Sequence, residues 1–161
     1  MRTALLALVA CGPADPEDTL AQCEGGDAPS LSLGEGGLAA FVPWEDGVEV
    51  PVVDQGGLGI AFQLLSTGLD TSAPVSAVIR MAVDGNQGDS IASLSLQCPS
   101  EGPGWISAFA TLPAAEQSHD AAYFDGVPAT VHATATDQRG VAASTDDVSV
   151  TLVAPTASNS P

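Results

Sequence analysis

The sequence predicts an all-β protein in which two antiparallel sheets pack face to face as a β-sandwich of about seven to nine short strands. Three observations carry that prediction. From residue 31 onward apolar side chains recur at every second position, the period of a strand rather than of a helix. Clusters of Gly, Asp, Asn and Pro interrupt these runs at short intervals, as turns do. The alternation is half polar, so each sheet has one wet face, and the two dry faces must cover each other.

Taken in order, the chain opens with Met1-Arg2 and the apolar run Thr3 to Ala10, then Cys11. One positive charge, a short apolar stretch and small residues before a cysteine make a secretory signal. The run is far short of the roughly 20 residues a membrane-spanning helix needs. Leu8-Val9-Ala10-Cys11 resembles the bacterial lipobox, which implies cleavage before Cys11 and lipid, palmitate included, on that cysteine. Gly12 stands where aspartate commonly retains a lipoprotein at the inner membrane, so the resemblance implies the outer membrane, facing the periplasm or the cell surface. Residues 11–30 hold five acids, three prolines and three glycines; such a segment has little to bury and reads as a flexible acidic tether.

Within residues 31–153, strands are expected around Leu31–Leu33, Ala39–Val42 and Val48–Val53. Leu58, Ile60, Phe62 and Leu64 share one face of the next, and Val75, Ala77, Ile79, Met81 and Val83 one face of another. Ala92, Leu94, Leu96 and Cys98 follow the same rule, as do Ala129, Val131, Ala133 and Ala135, then Val148, Val150 and Leu152. Trp105 to Leu112 is strand-like with an ambiguous inward face. The alanine-rich strand leaves room for a ring from the opposite sheet, for which Phe62, Trp105 and Phe109 are candidates. Turns are expected at Asp46-Gly47, Gln55–Gly57, Asp84–Gly88, Gly102–Gly104 and Asp125-Gly126, with a glycine hairpin at Asp137–Gly140. One helical turn is expected between Pro113 and Ala122. Residues 154–161 read as a loose tail.

The 161 residues carry 20 acids against three arginines and no lysine, for a net charge of -17. That balance excludes nucleic acid as a partner, because it cannot neutralise a phosphate backbone. It disfavours electrostatic docking to anionic lipid for the same reason. With Cys11 assigned to lipid, Cys23 and Cys98 form an even pair in an oxidising compartment, and a disulfide between them is expected. It would close a loop of about 75 residues, worth on the order of 4 kcal/mol in the chain-entropy picture.

Residues able to carry chemistry are few. Ser118, His119 and Asp120 are adjacent in one chain and point apart, unlike a nucleophilic triad. His132 lies on a threonine face and reads as a surface residue. Asp84, Asn86 and Asp89 supply oxygens in a glycine-rich stretch, but the order is not that of an EF-hand and a plain turn is expected. Glu45-Asp46 and Asp146-Asp147 are further acids near the ends of strands. No cofactor, metal or catalytic residue is expected from this pattern.

One resemblance adds to this reading. Phe41-Val42-Pro43-Trp44-Glu45-Asp46-Gly47, Val50-Pro51-Val52-Val53, Gln55-Gly56-Gly57 and the stretch from Ile60 to Gly68-Leu69-Asp70 resemble a group of lipoproteins of myxobacterial type that have no assigned activity. The group's closing pattern, a strand like Thr130–Asp137, a D-x-x-G turn and a last strand, is also similar. Members often carry histidine two residues after QGG, where this chain has Gly59. The resemblance implies an immunoglobulin-like sandwich and a lipid-anchored, exported protein, and names no substrate.

The function expected is therefore non-enzymatic: an envelope lipoprotein, held in the membrane by its lipid, that binds a protein or glycan or fills a structural place. The candidate contact loops are Gln55, Gly56 and Gly57 with Asp84, Asn86 and Asp89, since loops on a rigid frame carry function. The alternatives are a calcium-dependent adhesion module and a hydrolase using loop carboxylates.

Overall fold

The computed structural model describes residues 28–36, 40–96, 104–113 and 120–155. These residues form ten strands: β1 (Ser30–Glu35), β2 (Val42–Pro43), β3 (Val48–Asp54), β4 (Leu58–Thr67), β5 (Val75–Val83), β6 (Asn86–Leu94), β7 (Gly104–Thr111), β8 (Pro128–Thr136), β9 (Ala142–Ser144) and β10 (Val148–Val153). The fold is all-β, as the period of two requires, with a 3-10 turn at Ala121–Phe124. That turn lies slightly beyond the expected one, capped by Asp120, whose carboxylate accepts from Ala122 N at 2.9 Å.

In the first layer, β4 runs between β7 on one side and β1 on the other, and β2 adds to β1. In the second, the order is β6, β5, β8, β10, with the short β9 extending the β10 side of β8. β3 joins them. Its first half, Val48–Pro51, pairs with β10, and its second half, Val52–Asp54, pairs with β4. Pro51 has no N–H to donate, and it stands where the strand leaves one ladder for the other. The β3–β10 pair is parallel, so the sheets are not wholly antiparallel as expected.

The core is the set of inward positions that the alternation marked. Ile60, Phe62 and Leu64 of β4, the odd residues of β5 from Val75 to Val83, Ala129 to Ala135 of β8, and Val150 and Leu152 of β10 are all buried. Ring volume in the core comes from Trp44, Phe62 and Phe124. Trp44 tilts against Phe62 with centroids 6.0 Å apart.

Two expectations are corrected. Trp105 and Phe109 do not fill the core: β7 turns Ile106, Ala108 and Ala110 toward it, and both rings lie half-buried on the outer face. In register, Ala108 meets Phe62 and Ala110 meets Ile60, so β7 presents small side chains where β4 presents large ones. The second correction concerns β6, which begins at Asn86 and ends at Leu94 rather than running from Ala92 to Cys98. The turn before it is only Asp84-Gly85, both with positive φ (47° and 77°), the two-residue hairpin that matches strand twist.

Candidate functional site

The strand directions separate two ends. One end gathers the β3–β4 turn, Asp84-Gly85, Leu112 and the segment 120–127. It is tied by Leu112 N to Leu58 O (3.0 Å), Gly126 N to Leu152 O (2.8 Å) and Ala154 N to Asp125 Oδ1 (3.0 Å). The opposite end gathers Gly68–Pro74 and the β8–β9 hairpin, Asp137–Gly140.

At the first end the QGG turn is held from inside. Asp54 Oδ1 accepts from Gly56 N at 3.1 Å and Gly57 N at 3.0 Å, and Gly56 has φ 86°. The two glycines serve the turn itself. The oxygens of Asp84, Asn86 and Asp89 do not converge. Asp84 accepts from Tyr123 Oη at 3.3 Å, and Asn86 Nδ2 donates to Asp84 O at 3.4 Å. Asp89 sits on β6 and takes both prongs of Arg80, at 2.9 and 3.2 Å. Hydrogen bonding to Arg80 holds the Asp89 carboxyl below its usual value. His132 pairs in register with Arg80, and its Nδ1 lies 3.1 Å from Asp147 Oδ1. Asp89, Arg80, His132 and Asp147 thus form a polar row across the outer face of the second layer. Asp46 Oδ1 accepts from Ser149 N at 2.8 Å. No group of three His, Cys, Asp or Glu side chains could hold a metal among the described residues. Cys11, Cys23, Cys98, Ser118 and His119 lie outside the described residues.

The opposite end carries a denser polar cluster, in which the two turns of the resemblance lock together. Asp137 is buried, and its Oδ1 accepts from Arg139 N and Val141 N, each at 2.9 Å. Its Oδ2 accepts from Asp70 N at 2.9 Å and from Arg139 Nε and Nη2 at 3.1 and 3.0 Å. Burial works to raise the Asp137 carboxyl, but the backbone N–H groups of Asp70 and Val141 and the Arg139 guanidinium outweigh it, and the net shift is downward. Asp70 accepts from Ser72 Oγ at 2.6 Å, Ser72 N at 3.0 Å and Gln138 Nε2 at 2.9 Å. Those bonds, the Ser72 hydroxyl first, lower its carboxyl to about 2. Every acceptor here is engaged by the protein's own donors, so the cluster is a clasp between turns.

A different surface has room for a ligand. On the outer face of the first layer, Glu35 and Gly36 at the end of β1 form one wall of an open groove of about 310 Å³, and Ser107 and Phe109 of β7 form the other. Ala61 and Gln63 of β4 are its floor, and Gln55 of the β3–β4 turn also lines it. Two glycines in the strands each seat an aromatic ring on this face, and one of the two rings, Phe109, lines the groove. A Cβ on Gly59 would fall 2.3 Å from Phe109 Cζ, and one on Gly34 would fall 2.5 Å from Phe41 Cζ. The tip of each phenyl ring therefore packs against bare backbone, and each ring is half-buried. Sequence reasoning marked Gln55 but missed Glu35, Gln63, Ser107 and Phe109. A glycine between apolar neighbours inside a strand, as at Leu58-Gly59-Ile60, is the available signal, since it marks close approach of another group.

No protein-family model and no curated protein matches the chain. Among solved structures, the N-terminal domain of PorA aligns over 76% of this chain and 97% of its own, at 7% identity and a TM-score of 0.27.

Proposed function

We infer that the chain is a lipid-anchored binding module of the bacterial outer envelope whose contact surface is the outer face of the β1–β4–β7 layer. One observation carries this reading: Phe41 and Phe109 are seated over strand glycines on that face, with an open groove between β1 and β7. A solvated sheet face needs no such rings, whereas rigid aromatic groups beside convergent polar ones are how binding surfaces are built. The contact residues of this reading lie on strands and on Gln55, rather than on the loop pair Gln55–Gly57 and Asp84–Asp89. Attachment through lipid at Cys11 supplies the location, and the lipobox-like Leu8–Cys11 supports it. The acidic segment 11–30 provides reach between membrane and module.

The test is a photo-reactive amino acid placed at Ser107 in cells of the native host, with Ser93 on the other layer as the control position. Crosslinks to an envelope component from position 107 and not from 93 are expected. Equal labelling from both positions, or none from 107, contradicts the assignment.

A further inference from the structure

The chemistry lining this groove is selective. Among the described residues its one charged side chain is Glu35, and no cation borders it, in a molecule whose net charge is -17. An anionic ligand would find no counter-charge there and would meet repulsion from the rest of the surface. A cationic ligand would find stronger partners elsewhere on so acidic a chain. What the groove does offer is two carboxamides, Gln55 and Gln63, and the Ser107 hydroxyl. Each of these groups both donates and accepts hydrogen bonds. Beside them lies the Phe109 ring, whose Cζ and Cε2 pack against Gly59.

Groups that donate and accept at close spacing match the paired hydroxyls of a sugar, which do the same. A fixed ring face matches the apolar C–H face of a pyranose. The groove volume of about 310 Å³ lies at the lower limit of small-ligand sites, roughly 300 Å³. It is open on its solvent side, so a longer chain can lie across it and need not end in it. We propose that the β1–β4–β7 groove binds a segment of an uncharged polysaccharide. A pyranose stacks on Phe109, and its hydroxyls are held by Gln55, Gln63 and Ser107, with Glu35 accepting from a further hydroxyl. This deepens the binding-module reading and rests on it.

The experiment is calorimetric titration of the full chain with maltohexaose, cellohexaose and chitohexaose, and with hexagalacturonate as the anionic counterpart. At least one neutral hexasaccharide is expected to bind with Kd below about 10 mM. Hexagalacturonate is expected to bind at least about tenfold more weakly. Phe109→Ala removes the stacking face. Ser107→Arg fills the groove from an exposed position that the fold does not need, so it keeps the test valid if Phe109→Ala unfolds. Each is expected to weaken binding at least about tenfold, with Ser93→Arg on the other layer unchanged. Failure of all three neutral probes, equal binding of hexagalacturonate, or binding that survives both groove variants overturns the proposal. If the sugars fail while crosslinks from position 107 still identify an envelope component, the saccharide is wrong and the binding module stands. If the crosslinks fail as well, both fall.

Discussion

At the Asp137 carboxylate two opposing effects meet. Burial disfavours its charge, while donors from two turns and one arginine favour it, and the donors win. Asp70 shows the result more plainly, with a folded value of about 2 against an ordinary 3.8. A carboxyl whose value is lowered by folding stabilises the native state above its unfolded value and loses that contribution as pH falls through its folded one. Thermal melts should therefore be flat at neutral pH and drop as pH falls from about 4 to about 2. In Asp70→Asn the neutral melting temperature should be lower and the acid slope shallower; an unchanged slope would remove Asp70 from this role. Asp137→Ala should lower the melting temperature well beyond Asp147→Ala, because Asp147 is exposed, whereas the Asp137 carboxylate is buried among five donors. The resemblance pointed to the GLD and D-x-x-G turns separately. Their union was not legible, since Asp70 and Asp137 are 67 residues apart and no local pattern states which turns meet.

Among the strands, β5 and β8 were the most legible. Each buries every second residue along its length, so the period of two shows without interruption. β6 was read late by six residues, since Asn86-Gln87-Gly88-Asp89 has the composition of a loop. Full-length pairing with β5 makes it a strand all the same, a case of tertiary context overriding local preference. β7 has apolar residues on both faces, so periodicity could not orient it. β9 was missed because three residues carry no period. Its pairing with β8 brings Thr145 into place: Thr145 N donates to Ala133 O and Thr145 Oγ1 accepts from Ala133 N, both at 2.9 Å. A side chain thus completes the β8 ladder between β9 and β10. Thr145→Val keeps the shape and orphans the Ala133 N–H, so urea unfolding should show a loss of about 1–3 kcal/mol; no loss would mean water replaces the hydroxyl. Phe62→Ala, in the packed interior of β4, should cost about 3–5 kcal/mol by the same measurement. A much smaller cost would contradict its core position.

For the molecule as a whole, charge is the dominant property. Two arginines, Arg80 and Arg139, lie among the described residues, and both are engaged with aspartates. The remaining acids repel one another, and salt screens that repulsion. Raising sodium chloride from about 0.01 M to about 0.5 M, which shortens the screening length severalfold, should raise the melting temperature. A fall would mean that the Arg80 and Arg139 pairs outweigh the general repulsion. The function proposed for the molecule depends on where it sits. Composition led to the expectation of no nucleic-acid partner and the first eleven residues to the expectation of export, but the groove was beyond sequence reasoning because β1, the β3–β4 turn, β4 and β7 each contribute only one to three residues to it. The most direct measurement is the intact mass of the protein extracted from the membrane fraction of its native host. The expected species begins at Cys11, lacks residues 1–10 and carries added acyl mass. A soluble species retaining Met1, with no lipid, would contradict the assignment of the chain to the envelope.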